Sequence, residues 1–259
     1  MTPGSPPGRA SRPGHTSAQT RPPMIDALIF DLDDTLCPER HFVLKRLAVV
    51  ARRLEERYGP RIDFLAELVR CYEGDMRTHV FDAVLARAGV GPDMEAVRDL
   101  VDLYRRQPVD VALYPDAAGA LEFWSRRLPL GLITDGHGPT QRKKVEALGI
   151  GGFFRTIVYT YDLGPASIKP SPLPFETLRD AIGFSGPAVV VGDNPALDFP
   201  APKRMGWTTV RIVRPDAKAA RMPADPACPP DHVIRSLDDL RQVPALAGRI
   251  TQAPGEPGG

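Results

Sequence analysis

Five short apolar runs, at 27–30, 130–133, 156–159, 188–191 and 208–212, stand between longer stretches of mixed polarity. Runs of this length without polar alternation are the pattern of strands covered on both faces, as in a parallel sheet. Helical periodicity fills most of the intervals. Ala118, Leu121 and Ser125 share a face with Leu128; Val145 and Leu148 follow the second run; Phe175, Leu178 and Ile182 follow the third. The alternation predicts an α/β fold with an open, Rossmann-like, mostly parallel sheet.

One interval departs from this rhythm. Residues 40–107 carry four helical patterns and no strand: Leu44, Leu47, Ala48, Ala51, Leu54 and Tyr58; Ile62, Leu65, Ala66 and Val69; Phe81, Val84, Leu85 and Ala88; Val97, Leu100, Val101 and Tyr104. Gly59-Pro60 and the stretch 89–92 punctuate them. An all-helical cap at 40–107, inserted into a core made of 24–39 and 108–243, is the expected organisation.

The ends read differently. Residues 1–23 hold six prolines, three glycines, three arginines and no acid, too little apolar surface to offset the entropy of ordering, so a disordered tail is expected. A flexible C-terminal tail is expected over 244–259. The prolines at 215, 223, 226, 229 and 230 mark 214–231 as a long surface loop.

Composition excludes several classes. With 42% hydrophobic and 25% charged residues the chain resembles a soluble globular protein, and no apolar run reaches the roughly 18 residues of a membrane span. The formal charge is +1, from 33 basic and 32 acidic residues, so no overall field or basic stripe recruits nucleic acid or membrane lipid. Cys37, Cys71 and Cys228 are scattered and odd in number, which argues against a disulfide framework or a zinc site and suits a reducing, cytoplasmic setting. Oligomeric state is not legible.

Ligands of open α/β sheets bind at the carboxyl ends of the strands. The first run ends in Asp31-Leu32-Asp33-Asp34-Thr35, the second in Thr134-Asp135-Gly136, and the fourth in Gly192-Asp193-Asn194-Pro195-Ala196-Leu197-Asp198. Lys169 lies in the loop beyond the third. Acids at strand ends often cap helices and a lone lysine is usually solvated. Those readings do not account for acidic clusters at two strand ends with a hydroxyl and a cation at the others.

Together these segments resemble the haloacid dehalogenase (HAD) superfamily, whose phosphatases carry Asp-x-Asp-x-Thr, a Thr or Ser, a Lys and Gly-Asp-x-x-x-x-Asp in this order. The resemblance spans about 25–240, cap included. It implies a HAD-type phosphoric monoester hydrolase: a Mg2+-dependent phosphatase acting through an aspartyl-phosphate on Asp31, with Asp33 as general acid and base. It further implies Asp31, Asp193 and the backbone carbonyl of Asp33 as metal ligands, and Asp198 as their supporting partner. Thr134 and Lys169 would bind the phosphoryl oxygens, with the backbone N–H of Asp135 beside them. Asp135 departs from the asparagine common in relatives, which puts its side-chain direction in question.

The chemistry is physically coherent, because a carboxylate nucleophile divides a very slow displacement into two easier steps and a divalent cation screens two anions that would otherwise repel. A haloacid dehalogenase would not need an acid/base at Asp33. A phosphoryl-transferring sugar-phosphate mutase would use the same residues, and a catalytically idle HAD-like binding domain would keep the fold. The segment Leu132-Ile133-Thr134-Asp135-Gly136-His137, with Gln141 and Lys144, looks like the subgroup that includes N-acylneuraminate-9-phosphatase and nucleotidase-like members. That favours a small phosphorylated metabolite, a sugar phosphate or nucleoside monophosphate, as partner. Arg40, His41, Arg77, His79 and Arg105 of the cap are the candidate substrate contacts.

Overall fold

The computed structural model describes residues 24–74, 79–91, 93–223 and 226–250. Both expected tails therefore fall outside it, except for residues 244–250. Six parallel strands form one sheet in the order β3-β2-β1-β4-β5-β6. They are β1 (Ala27–Phe30), β2 (Leu130–Thr134), β3 (Thr156–Tyr159), β4 (Ala188–Gly192), β5 (Thr208–Ile212) and β6 (His232–Ile234). The five apolar runs are the first five strands. The sixth has no counterpart in the sequence reading, because three residues with an exposed Val233 in the middle make no apolar run.

The two-residue strand period sorts the core. Leu28, Phe30, Leu130, Leu132, Val189 and Val191 pack on one face with Leu121 and Trp124 of α5 (Ala117–Ser125). Ala27, Ile29, Ile133, Val190 and Trp207 pack on the other with Phe175 and Leu178 of α7 (Leu173–Ile182). Gly131 makes that second contact possible, since a Cβ there would lie 2.7 Å from Leu178 Cδ1. Between β2 and β3 runs α6 (Gly138–Leu148), and two short helices, α8 (Pro195–Asp198) and α9 (Pro200–Arg204), join β4 to β5.

The helical interval contains α1 (Glu39–Tyr58), α2 (Phe64–Glu73), α3 (Val80–Arg87) and α4 (Met94–Arg106), which close their own apolar cluster around Leu47, Leu54, Phe64, Leu68 and Val84. Asp63 and Asp93 cap α2 and α4, accepting from the N–H of Ala66 and Ala96 at 2.9 Å each. The buried stripe of α1 keeps Leu47, Ala51 and Leu54 of the expected one but is rotated to include Phe42, Val43, Arg46 and Val50, while Leu44 and Ala48 are only half-buried. The rotation turns Phe42 and Arg46 toward the core, where the Lys144 ammonium lies 4.4 Å from the Phe42 ring centroid and Arg46 donates to the Gln107 carbonyl at 2.8 Å.

Two expectations are corrected. Residues 244–250, placed with the flexible end, form helical turns that bury Leu246 and tie Arg249 to the Ile25 carbonyl at 2.8 Å. The loop at 214–231 is not wholly at the surface, because Arg214, Ala217 and Ala219 are buried.

Candidate active site

β1 is the central strand, flanked by β2 and β4, and its last ladder bond runs from Asp31 N–H to the Val191 carbonyl at 2.9 Å. The chain then makes a tight reversal. Leu36 and Cys37 donate N–H bonds to the Leu32 carbonyl at 2.9 and 3.2 Å, and Asp34 N–H meets the Cys37 carbonyl at 2.7 Å. Asp34 sits at a left-handed φ of 57°, which a short polar side chain tolerates. Its carboxylate accepts the Glu39 N–H at 2.8 Å at the start of α1, so one turn both presents Asp31 and Asp33 and launches the insert. Burial lifts the Asp34 carboxyl to about 6.

Asp31, Asp33, Thr134, Asp135, Lys169, Asp193 and Asp198 all line one cleft of about 470 Å³ at the carboxyl ends of the strands. The site residues read from the sequence thus converge. Lys169, 4% exposed, places its ammonium 2.6 Å from Asp31 Oδ1 and 2.6 Å from Asp198 Oδ1. Burial opposes the lysine's charge, but Asp198 and Asp31 outweigh it and hold the ammonium well above its ordinary range. Asp198 Oδ2 also accepts the Asn194 N–H at 3.0 Å. The glycine of the Gly-Asp segment has a steric reason: a Cβ on Gly192 would stand 2.4 Å from Asp198 Oδ2.

Asp33 is held from the other side of the cleft. Lys144 donates to both of its oxygens, at 2.6 and 2.8 Å, and Gln141 Nε2 reaches Asp33 Oδ2 at 2.8 Å and Thr134 Oγ1 at 2.5 Å. Neither residue is among the site positions read from the sequence. They were named in the subgroup resemblance without a role; the physical signal was their spacing of three on α6, which puts two polar side chains on the face that also buries Val145.

The direction of Asp135 is resolved. Its Oδ1 accepts the Thr160 hydroxyl at 2.7 Å and the Lys169 N–H at 3.4 Å, so the carboxylate braces the lysine loop. Cys37 is fully buried beside the turn, and burial pushes its thiol well above the ordinary range, which makes it an inert core residue.

A cation fits the remaining charge. Carboxylate oxygens of Asp31, Asp193 and Asp198 lie within 4.8 Å of one another, with Lys169 the ammonium bonded among them. Burial raises Asp31 to about 8, and burial followed by Asp198 and Asp31 raises Asp193 well above its usual range. When all three are ionised, three clustered carboxylates against one ammonium leave two negative charges in excess. An all-oxygen set with that excess suits magnesium, which takes one or two carboxylates and keeps several waters.

None of the candidate cap contacts among the described residues lines this cleft. Arg40 pairs with Glu73 at 2.6 Å, His79 approaches Asp82 at 3.8 Å, Arg105 faces a separate groove, and Arg77 lies outside the described residues. His41 is exposed on α1 and absent from the cleft lining. The rim consists of Glu39 at the start of α1 and Lys218, Ala219 and Met222 from the loop after β5. Arg211 fixes that loop through the Ala219 and Met222 carbonyls at 2.6 and 2.8 Å, and Lys218 crosses to the Gly74 carbonyl at 2.6 Å.

Acids at the ends of adjacent parallel strands, a buried lysine bonded between two of them and a helical insert after the first strand are the arrangement of a class of hydrolases. The chain belongs to the haloacid dehalogenase-like hydrolase family, whose model matches residues 25–206. It is 32% identical over 206 residues to a glyceraldehyde 3-phosphate phosphatase of Methanopyrus kandleri, covering 74% of this chain and 85% of that one. A phosphoserine phosphatase of Thermus thermophilus is 32% identical over 179 residues, 68% and 67% of the two chains. The N-acylneuraminate-9-phosphatase of Mus musculus is 24% identical over 245 residues, 87% and 95%. The structure of the HAD-hydrolase YfnB from Bacillus subtilis bound to magnesium shares the fold at a TM-score of 0.61 and 23% identity, covering 85% and 99%. No helix among the described residues is long and apolar enough to cross a membrane.

Proposed function

We propose that the protein is a magnesium-dependent phosphatase that hydrolyses a small phosphate monoester through an aspartyl-phosphate on Asp31. The observation that carries this reading is the buried cluster of Asp31, Asp193 and Asp198 around Lys169, with Asp33 held by Lys144 across the same cleft. The relatives support it, since those reported above are named as phosphatases of small metabolites.

Asp31, Asp193 and the Asp33 carbonyl would hold magnesium, with Asp198 fixing Lys169 beside them. The bound ion supplies screening between carboxylate and phosphate and orients both. An Asp31 oxygen attacks phosphorus, forming the acyl-phosphate bond as the ester P–O bond breaks. Asp33 gives its proton to the leaving alkoxide and then takes one from the water that cleaves the acyl phosphate, returning Asp31 and releasing inorganic phosphate. Lys169, the Thr134 hydroxyl and the Asp135 N–H stabilise the charge spread over the transferring group.

The substrate class follows from the cleft and the relatives. A site of about 470 Å³ with a rim from both insert and core suits a small metabolite, and the relatives act on a triose phosphate, an amino-acid phosphate and a sugar-acid phosphate. A sugar phosphate or another small organic monoester is the favoured substrate. The test is phosphate release from a panel of such esters with magnesium and with excess chelator, for wild type and Asp31→Asn. Metal-dependent release abolished by the substitution supports the reading; release that survives Asp31→Asn refutes it.

A further inference from the structure

Arg105 and His137 face each other across a second groove, of about 360 Å³, between α4 of the insert and the start of α6 of the core. Arg106 and Lys143 join them there, with Thr140 beside His137 and Asp102 as the groove's one acidic side chain. Arg105, Arg106 and Lys143 have no ion-pair or hydrogen-bond partner among the described residues, whereas Arg57, Arg70 and Arg87 of the same insert are each paired with Asp or Glu.

Among the described residues lining the groove, Asp102 is the one acidic side chain set against these cations. No acidic residue occupies the first turn of α6 and no side chain caps it, so the positive end of the helix dipole also opens into the groove. Behind it lies Arg46, 2% exposed, whose Nε and Nη1 have no hydrogen-bond partner among the described residues. The field is felt by His137, whose imidazole is pushed below its usual range by burial and then by Arg105 and Arg46. Like charges collected on two facing elements repel one another. A ligand carrying several negative charges would remove that repulsion on both walls.

We infer that this groove is a binding site for a small polyanion with adjacent phosphoryl groups, distinct from the catalytic cleft. Its volume is that of a small-molecule site. Arginine and lysine donors on opposite walls suit a diphosphate better than a single phosphate, because each wall can engage its own phosphoryl group. The occupant would touch both insert and core, fixing one against the other. The inference does not depend on what the catalytic cleft hydrolyses.

The test is calorimetric titration of the full chain with inorganic pyrophosphate, after metal stripping and removal of the chelator by dialysis. In that state the catalytic cleft presents its carboxylate excess to an anion, while the groove is unaffected. One saturable equivalent is expected, with affinity falling as salt rises and weakened at least about tenfold in Arg105→Glu/Lys143→Glu. Both positions are exposed, and the milder Arg106→Gln, expected to weaken binding in the same direction, serves if charge reversal impairs folding. Absence of saturable binding to the wild type, or unchanged affinity in the folded variants, overturns the inference.

Discussion

The ammonium of Lys144 lies 2.6 and 2.8 Å from the two carboxylate oxygens of Asp33, joining α6 to the turn after β1 across 111 positions of sequence. Burial works against the lysine's charge, but Asp33 and then Glu39 outweigh it and raise its pKa, so the ammonium stays charged. Lys144 is absent from the lining of the cleft, and its contact with the candidate site runs through Asp33.

That separation gives the first prediction. Lys144→Met should lower kcat on the order of a hundredfold, the scale of a mispositioned general acid or base, while inhibition by inorganic phosphate changes little. Steady-state kinetics with phosphate as product inhibitor reads both quantities. A variant with normal kcat would remove Asp33 positioning from the mechanism.

Gly192 offers a steric test. A Cβ there would stand 2.4 Å from Asp198 Oδ2 and 2.8 Å from Asp198 Cβ, so Gly192→Ala must displace the residue that holds Lys169. The expected result is a folded protein, less stable by about 1–3 kcal/mol in urea unfolding, with phosphate release strongly reduced. If alanine left turnover intact, Asp198 would not be setting the lysine's position.

Asp135 separates two roles that share one residue number. Its side chain braces the lysine loop through Oδ1, while its N–H belongs to the proposed phosphate site. Asp135→Asn retains an acceptor oxygen and should keep activity within about threefold of wild type. Asp135→Ala removes the acceptor for a buried hydroxyl, which costs about 1–3 kcal/mol, and should lower kcat clearly more than asparagine does. Equal activity in the two variants would show that the brace contributes nothing to the chemistry.

What could be read from the sequence followed from how local the signal was. The strands β1 to β5 are short runs without polar alternation, Asp31 and Asp193 directly follow theirs and Thr134 ends β2, so the topology alone brings them together. Lys144 was visible as a helix lysine named in the subgroup resemblance but given no role, and Arg214 only as part of a proline-rich loop. Their partners, Asp33 and Asp116, are 111 and 98 residues away, and pairing at that distance leaves no periodicity. β6 failed for the opposite reason: at three residues it is too short to show a period. The insert's helices were legible because the apolar spacing and the Gly-Pro punctuation agree, whereas the face of α1 turned toward the core is set by Phe42 and Arg46 meeting groups on other elements.

Arg214 and Asp116 lead to a prediction about pH. The guanidinium is buried and donates to both Asp116 oxygens, at 2.8 and 2.9 Å, and to the Thr35 carbonyl of the catalytic turn at 2.9 Å. Asp116 also accepts the Ser236 hydroxyl and the Leu237 N–H, at 2.9 and 2.8 Å. Burial pushes its carboxyl up, but the bonds from Arg214, Leu237 and Ser236 outweigh it, so the group sits below its ordinary range. A carboxyl depressed by folding contributes stability that is complete above its unfolded pKa of about 3.9 and is lost as the pH falls through the lower folded value. The wild type should therefore lose this increment only in acid, and Asp116→Asn should unfold with a flatter dependence below about pH 4. At neutral pH, Arg214→Met leaves a half-buried carboxylate without its cation and should cost about 1–3 kcal/mol. It should also lower kcat, because the Thr35 carbonyl loses its donor and the turn carrying Asp31 and Asp33 loosens. Urea unfolding at pH 3 to 8, run alongside phosphate release, measures both effects; superimposable unfolding curves for Arg214→Met and wild type at pH 7 would show that the pair stabilises neither the fold nor the catalytic turn.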